Sequence, residues 1–333
     1  MSGPARVVVT RRIPESAIAQ LRDAAEVWVS PHDRPLTRGE LLEAVAGADA
    51  LVTMLHDRID RQVFDAAGPQ LRCIANVAVG YDNVDVVAAS EHGVIVTNTP
   101  GVLTDATADL AMALILAVTR RLGEGERLLR AGTPWSWDMS FMLGTSLAGK
   151  ALGVVGLGAI GQATGRRARA FGMNVLYSGR RRAPEAVEQA LGGARHLELD
   201  PLLESADVVS IHCPLSTATR HLIDAERLRR MRPSAYLINT ARGPIVDEAA
   251  LVAALQAKTI AGAALDVFEH EPAVHPGLLE LDNVFLAPHL GSATVETRTA
   301  MAMLAARNAV AVLNGELPPT PVNGDAPAAG APV

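Results

Sequence analysis

Aromatic residues are scarce in this chain of 333 residues, and its charge is mildly acidic. Phe, Trp and Tyr together make up 3% of the residues, so few rings are available to stack on nucleic-acid bases. Thirty Lys and Arg face 36 Asp and Glu, which gives a net charge of −6. Such a balance repels a phosphate backbone, and the composition therefore argues against a nucleic-acid partner.

Cysteine is almost absent as well. Cys73 and Cys213 lie far apart in the sequence, and no Cys-x-x-Cys spacing occurs. This excludes a disulfide framework and a zinc knuckle, and we predict no metal site. The two cysteines are expected to be free, buried thiols in a reducing compartment.

Long apolar segments are also missing. The longest run, residues 110–118, is nine residues long, whereas a membrane-spanning helix needs ~20. The first 15 residues contain only three consecutive valines before a charged pair, whereas a signal peptide needs an apolar core of ~7 to 15 residues. We therefore expect a buried helix at 110–118, no membrane association and a cytoplasmic protein.

Short β-branched runs alternate with helical periodicities along the chain, a pattern that predicts an α/β fold with parallel sheets. Six strands with intervening helices, as in the second half, are the count of a complete doubly wound dinucleotide-binding domain. The predicted strands fall at 7–10, 50–53, 72–76 and 94–97, and then at 151–155, 174–177, 207–211, 235–239, 260–265 and 284–286.

Two turn-type breaks, at 99–101 and 287–288, suggest domain boundaries because each precedes a long helical pattern. One helix is predicted at 104–130 and the other at 293–313. The tail from residue 317 is rich in Pro, Ala and Gly, and we expect it to be disordered beyond the point where 321–323 docks.

A G-x-G-x-x-G sequence lies between the apolar strand at 151–155 and a helical stretch at 162–171. This context is the one that the dinucleotide fingerprint requires, with the pyrophosphate at the helix N-terminus. The alternative is a glycine-rich connection without a ligand. The six residues of the motif are Gly156, Leu157, Gly158, Ala159, Ile160 and Gly161.

The end of the next strand indicates which dinucleotide is bound. NAD sites place an Asp or Glu ~20 residues after the motif to hold the ribose 2′-hydroxyl, but the first acidic residue after Gly161 is Glu185. Ser178, Arg180 and Arg181 stand there instead, and they suit a 2′-phosphate. We therefore predict a preference for NADPH over NADH; the alternative is a run of solvated arginines on an exposed loop.

Arg242, Glu271 and His289 each follow a predicted strand, where open α/β sheets place their ligand crevices. A carboxylate beside a histidine favours the imidazolium form, which can act as an acid near neutral pH. An arginine offers a planar fork to a carboxylate substrate. A lone histidine is more commonly structural or on the surface, and composition does not choose among the nine.

Several motifs in the same order resemble those of the D-isomer-specific 2-hydroxyacid dehydrogenases over nearly the whole chain. Within that family the strand end YSGR, the segment 135–138 and the opening RRIPE are similar to the glyoxylate and hydroxypyruvate reductases. The matching motifs are VGYDNVD (79–85), LTDATADLA (103–111), GLGAIG (156–161), NTARGPIVDEAAL (239–251), AGAALDVFEHEP (261–272) and APHLGSAT (287–294).

The resemblance implies two doubly wound parallel-sheet domains, a Rossmann cofactor domain (101–287) inserted into a flavodoxin-like substrate domain (1–100 and 288–333). It implies NADPH-dependent reduction of a small 2-oxo acid, glyoxylate to glycolate or hydroxypyruvate to D-glycerate, with NAD as a possible cofactor. His289 would donate the proton, Glu271 would pair with it, and Arg242 would orient the substrate.

The resemblance further implies the residues that contact each ligand. The substrate carboxylate would meet the backbone amides of Val79 and Gly80, with Leu55 lining the same pocket. Besides the glycine loop, the cofactor contacts would be Thr107, Ser178, Arg180, Arg181, Cys213, Pro214, Thr240, Ala241, Arg242, Asp266, His289 and Gly291.

The resemblance also implies a homodimer in which Trp137 of one chain reaches the substrate pocket of the other. The alternative is that Trp135 and Trp137 simply pack the loop before the glycine motif. Two functional alternatives also stay open. One is a dehydrogenase acting on another 2-oxo acid, and the other is a cofactor-sensing corepressor with the same fold.

Overall fold

A computed structural model of the chain describes residues 4–323. These residues form two compact units, one made of the residues up to Leu103 together with those from Ala293 onward, and one spanning Thr104–Ser292. The expectation of a disordered tail concerns mainly residues 324–333 and lies outside the described residues. Each unit has its own parallel sheet and its own core.

The first unit contains a five-stranded sheet in the order β2-β1-β3-β4-β5, and all its neighbouring strands are parallel. This is the flavodoxin-like strand order. The strands are β1 (Arg6–Val9), β2 (Glu26–Val29), β3 (Ala50–Thr53), β4 (Cys73–Asn76) and β5 (Ile95–Thr97); the helices are α1 (Glu15–Arg22), α2 (Arg38–Val45), α3 (Arg61–Ala67), α4 (Val86–Glu91) and α13 (Val295–Leu313).

Helices on both faces of this sheet explain why its central strands are mostly apolar. β3 and β4 are buried along their whole length, as expected for strands covered on both sides. Helices α1 and α13 pack on one face and α2, α3 and α4 on the other. Residues 321–323 dock as predicted, because the amide of Val322 donates to the carbonyl of Val96 and the side chain of Asn323 accepts from the Val96 amide.

The second unit contains a seven-stranded parallel sheet in the order β12-β11-β10-β9-β6-β7-β8, which confirms the predicted Rossmann class. Its strands are β6 (Ala151–Val155), β7 (Asn174–Ser178), β8 (Arg195–His196), β9 (Val208–Ile211), β10 (Tyr236–Asn239), β11 (Gly262–Leu265) and β12 (Val284–Leu286). Its helices are α5 (Thr104–Thr119), α6 (Leu122–Arg130), α7 (Ala159–Ala170), α8 (Glu185–Ala190), α9 (Leu199–Ser205), α10 (Ala225–Arg230), α11 (Glu248–Gln256) and α12 (Pro276–Leu279), with a 3-10 turn at Gly243–Ile245.

Two strands were missed in the sequence-based prediction. β2 lies at the sheet edge and is only half-buried, and the apolar run in its sequence EVWV is only three residues long. β8 is two residues long, Arg195 and His196, and carries no apolar pattern.

The single helix predicted at 104–130 is wrong, because the chain breaks into α5 and α6 at residues 120–121. The Thr119 hydroxyl donates to the Ile115 carbonyl, and the Thr119 carbonyl accepts from the amide of Thr145. Arg121 then adopts left-handed backbone dihedrals, which end a helix. The buried helix predicted at 110–118 is confirmed within α5, and none of the helices within residues 4–323 is long and apolar enough to cross a membrane.

Candidate active site

The glycine loop joins β6 to α7 in the second unit, and close packing dictates where its glycines stand. Gly156 has a φ of +96°, and a Cβ there would lie 2.7 Å from the backbone nitrogen of Cys213. A Cβ on Gly161 would lie 2.3 Å from the carbonyl oxygen of Gly156. Gly158, by contrast, faces open space. The loop is therefore packed against the protein at its first and last glycine and open at the middle one.

Helix α7 leaves its N-terminal amides available. Gly158 is the N-cap residue and offers no side chain to them, and no acidic residue occupies the first turn. Unsatisfied amides and the helix dipole together attract an anion at such an end. The predicted loop residues Leu157, Ala159 and Ile160 lie here, so the loop fits a dinucleotide pyrophosphate.

A second observation at this edge of the sheet favours a bound polar ligand. The Thr240 hydroxyl oxygen, directly after β10, is buried and lacks a hydrogen-bond partner among the described residues. Buried polar atoms rarely stay unpaired unless a ligand or water pairs with them. Ala241 follows Thr240, and Cys213 and Pro214 follow the neighbouring strand β9.

Cys213 is only partly buried, so the prediction of two fully buried thiols holds for Cys73 alone. Its position at the exposed carboxyl end of β9 explains the difference. Burial nevertheless raises the pKa of Cys213 to about 11. The Cys213 thiol is therefore not set up as a nucleophile near neutral pH.

The three arginines that follow β7 differ in their contacts. Arg180 and Arg181 are exposed, whereas both arms of the Arg182 guanidinium donate to Glu188, each at 2.9 Å. Glu188 also accepts from the hydroxyl of Tyr177 at 2.5 Å. Arg182 is thus an anchor of the loop, and Ser178 ends β7 as a buried residue.

The side chains of His289 and Glu271 form a hydrogen-bonded pair in the second unit. The Nδ1 atom of His289 lies 2.8 Å from Oε2 of Glu271, and the other Glu271 oxygen accepts from the amide of Phe268 at 3.0 Å. His289 has a φ of +54°, and its amide donates to the carbonyl of Asp266. A non-glycine residue in the left-handed region is uncommon and is often found at functional sites.

The electrostatics favour an ionised Glu271. Burial alone would raise the pKa of Glu271, but the hydrogen bond and charge of His289, the Phe268 amide and the charge of Arg242 together hold it below its usual value. With Nδ1 held by Glu271, Nε2 of His289 is the ring nitrogen left to act on a substrate. This arrangement suits a general acid with a fixed orientation.

Asp266 holds the loop that carries the histidine. Its two carboxylate oxygens accept from the amides of Leu290 and Gly291, at 2.6 and 2.8 Å. The hydroxyl of Thr107 donates to the carbonyl of Gly291. Burial outweighs these hydrogen bonds and raises the pKa of Asp266. Four of the predicted residues, Thr107, Asp266, His289 and Gly291, therefore share one hydrogen-bonded cluster.

Arg242 follows β10, one strand away from the strand that precedes Glu271. Its loop is shaped by Asn239, a residue that the sequence analysis did not single out. The Asn239 side chain donates to the carbonyl of Arg242 and accepts from the amide of Ala241. The motif NTARG could have indicated this role of Asn239, because Asn side chains commonly form hydrogen bonds with backbone groups two or three residues further along the chain.

In the first unit, the predicted substrate residues lie on the loops after β3 and β4. Leu55 is 38% exposed, and Val79 and Gly80 are half-buried. The loop after β3 is held by Asp57, whose carboxylate accepts from the Thr10 hydroxyl at 2.5 Å and from the Met54 amide at 2.7 Å.

A reciprocal amide pair ties these two loops together. The side chains of Asn76 and Asn83 exchange hydrogen bonds of 3.2 Å, and Asn83 also donates to the carbonyls of Met54 and Asp57. The sequence analysis missed these residues because Asn76 ends a predicted strand, Asn83 lies in a loop, and neither position by itself indicates a role.

Trp137 lies in the irregular segment after α6 and is 75% exposed. Trp135 stacks on Phe141 nearby, with ring centroids 5.8 Å apart. Helix α6 buries none of its residues within this chain, and Leu122 and Leu129 are exposed on it. This part of the chain therefore presents an unusual amount of apolar surface.

Comparison with known proteins agrees with the fold. The model of the D-isomer specific 2-hydroxyacid dehydrogenase NAD binding domain matches residues 112–291. The chain is 52% identical over 323 residues to the glyoxylate reductase of Thermococcus onnurineus, covering 96% of each protein. This chain belongs to the D-isomer-specific 2-hydroxyacid dehydrogenase family.

Solved structures are similar over the same length. A glyoxylate reductase from Paecilomyes thermophila has a TM-score of 0.86 at 34% identity, with 96% of this chain and 99% of that one covered. The NADPH-dependent glyoxylate/hydroxypyruvate reductase of Sinorhizobium meliloti, solved with NADP and malonate, has a TM-score of 0.84 at 36% identity, with 96% and 97% covered.

Proposed function

We propose that this chain is an NADPH-dependent reductase of small 2-oxo acids, with glyoxylate and hydroxypyruvate as substrates and glycolate and D-glycerate as products. The observation that carries the proposal is the His289–Glu271 pair, hydrogen-bonded at 2.8 Å in the same unit as the uncapped N-terminus of α7. Relatives named glyoxylate reductase, 48 to 52% identical to this chain, support the choice of substrate.

The cofactor would be held mostly by backbone at one end and by side chains at the other. The amides at the start of α7 would bind the pyrophosphate, and Ser178, Arg180 and Arg181 would bind the 2′-phosphate. The unpaired hydroxyl of Thr240 offers a further hydrogen bond. When bound, the reduced nicotinamide supplies the hydride for the carbonyl carbon.

His289 would hold a proton on Nε2 and give it to the carbonyl oxygen. Glu271 keeps the ring oriented through Nδ1 and, being ionised, stabilises the imidazolium before transfer. Arg242 would orient the 2-oxo acid and polarise its carbonyl, because a guanidinium donates two parallel hydrogen bonds.

The substrate carboxylate would bind the amide groups of Val79 and Gly80. Neither amide has an acceptor within residues 4–323, although both belong to a loop with well-ordered hydrogen bonds. Consecutive free amides are a common way to bind a carboxylate.

We also propose a homodimer whose interface includes α6 and the segment that follows it. The exposed side chains of Leu122, Leu129, Trp137, Met139 and Leu143 support this, since several large exposed apolar side chains within one short segment are typical of an interface. In the dimer, Trp137 would reach the substrate pocket of the partner. Light scattering tests the state directly, and a monomer would contradict the proposal.

The reaction is tested by following NADPH oxidation with glyoxylate, hydroxypyruvate and pyruvate, each with purified chain at matched concentrations. Higher kcat/KM for glyoxylate and hydroxypyruvate than for pyruvate supports the assignment. Preference for a branched or aromatic 2-oxo acid would identify a different dehydrogenase of the family. Cofactor binding without turnover of any 2-oxo acid would favour the corepressor alternative.

A further inference from the structure

The loop after β4 has three successive carbonyl groups that are each held by a donor from the protein. The carbonyl of Ala78 accepts from the amide of Thr99 at 2.8 Å. The carbonyl of Val79 accepts from the side-chain amide of Asn98 at 2.8 Å. The carbonyl of Gly80 accepts from the side-chain amide of Asn76 at 3.1 Å.

These bonds also determine where the amide N–H groups point. The peptide bonds of this loop are trans, so each N–H points away from the carbonyl oxygen of the same peptide plane. Holding the carbonyl of Ala78 therefore fixes the N–H of Val79, and holding the carbonyl of Val79 fixes the N–H of Gly80. Both N–H groups lack an acceptor in the described part of the chain.

The two asparagines are themselves held firmly. Asn76 is fully buried, accepts from the Thr53 hydroxyl and pairs with Asn83. Asn98 is fixed through its backbone, because its amide donates to the carbonyl of Thr320 and its carbonyl accepts from the side chains of Asn308 and Thr320.

We propose that Asn98 is a positioning residue that pre-orients the Gly80 amide toward a carboxylate, so that the loop need not rearrange when substrate binds. The Val79 amide is oriented through the Thr99 backbone, and Asn76 secures the loop one peptide further on. The inference rests on the proposed function, since it assumes that these amides bind the substrate carboxylate. A neutral asparagine suits the task because its NH₂ group donates, whereas an aspartate would repel the carbonyl oxygen.

Asn98 is the better residue to test, because its side chain makes a single hydrogen bond and is only half-buried. Asn98→Ala removes the donor, and Asn98→Asp keeps the shape but reverses the interaction. Asn323→Ala is the matched control. Asn323 also bonds backbone at the start of β5, at Val94 and Val96, but makes no hydrogen bond to the loop after β4 within the described residues.

The readout must separate carboxylate recognition from general damage. Glyoxylate carries the carboxylate, glycolaldehyde lacks it, and oxamate is a carboxylate-bearing analogue that is not reduced. For Asn98→Ala we expect the inhibition constant of oxamate and the KM of glyoxylate to rise about 10-fold or more, with a still larger rise for Asn98→Asp. The kcat/KM for glycolaldehyde and the KM for NADPH should stay within about threefold of the parent, and Asn323→Ala should match the parent throughout.

The outcomes distinguish this inference from the function on which it rests. If the parent reduces glyoxylate but Asn98→Ala keeps its oxamate inhibition constant within about threefold, the positioning role is wrong and the function stands. Equal losses with glyoxylate and glycolaldehyde would indicate a merely structural asparagine and also overturn the role. A parent that neither reduces glyoxylate nor binds oxamate would overturn both proposals.

Discussion

The proposed catalytic groups after β11 and β12 of the seven-stranded sheet are side chains, whereas the proposed carboxylate-binding groups after β4 of the five-stranded sheet are backbone amides. After β11 and β12 these proposed groups are the carboxylate of Glu271 and the imidazole of His289, 2.8 Å apart. After β4 they are the amides of Val79 and Gly80, which have no acceptor within residues 4–323. Proton transfer requires a titratable side chain, but binding a carboxylate requires only oriented donors. The proposed function therefore assigns the chemistry to groups of the seven-stranded sheet and the carboxylate recognition to groups of the five-stranded sheet.

Removing the proton donor should have the largest effect. His289→Ala should lower kcat by ~10²- to 10⁴-fold, the usual contribution of general acid catalysis. The dissociation constant of NADPH, measured by fluorescence titration, should change little. Turnover within about threefold of the parent would show that another group supplies the proton.

Cofactor choice allows the same comparison within the second unit, where backbone amides would bind the pyrophosphate and side chains would bind the 2′-phosphate. Only the 2′-phosphate should depend on Ser178, Arg180 and Arg181, so we expect at least ~10-fold higher kcat/KM with NADPH than with NADH at low salt. The preference should shrink as salt is raised, because exposed charges are screened. Steady-state kinetics at several ionic strengths check this.

A double substitution tests the same residues in the opposite direction. Gly179→Asp with Arg180→Ala should reverse the preference by adding an acceptor for the 2′-hydroxyl and repelling the phosphate. Arg229→Ala, which removes an exposed arginine from α10, is the matched control and should leave the ratio unchanged. Equal kcat/KM for the two cofactors in the parent would indicate arginines that are merely solvated.

The Glu271 carboxylate should affect the pH dependence of kcat/KM. Its pKa lies below the usual value, so the ionised pair survives acidification and is lost only as the pH falls through that lowered pKa. Glu271→Gln stabilises the imidazolium less, and the alkaline limb of the kcat/KM profile should move to lower pH.

The control for this profile is Glu269→Gln. Glu269 forms a second His–carboxylate pair, 2.6 Å from His221, outside the His289–Glu271 pair. Its substitution should leave the alkaline limb in place. A pH profile of kcat/KM that Glu271→Gln leaves unchanged would show that Glu271 does not influence the proton donor.

The smallest expected effect concerns substrate size. If Trp137 of the partner lines the pocket, Trp137→Ala should raise the relative kcat/KM of larger 2-oxo acids over glyoxylate by a few-fold, while Trp135→Ala should not. Equal effects of the two substitutions would mean that both tryptophans only pack their own segment.

The contrast between side chains and backbone also explains what the sequence could predict. The glycine loop stands out because its residue types and its place after an apolar strand indicate a dinucleotide site. Arg242, Glu271 and His289 each follow a strand as well, but their predicted roles depend on the resemblance to the family. The parallel α/β class follows from the same strands.

Features that depend on tertiary contacts could not be predicted in this way. The roles of Asn76 and Asn98 depend on carbonyls brought near them by folding. The role of Arg182 depends on Glu188 in the next helix, which separates it from Arg180 and Arg181. The break after Thr119 depends on the distant amide of Thr145.

The division of labour between the sheets is tested most directly by measuring His289→Ala with glyoxylate and with glycolaldehyde, at enzyme concentrations high enough to follow both reactions. If His289 acts only on the reacting carbonyl, kcat/KM should fall by the same factor, within about threefold, for both substrates. A loss confined to glyoxylate would show that His289 recognises the carboxylate, and would contradict the assignment of chemistry to the seven-stranded sheet and of carboxylate binding to the five-stranded one.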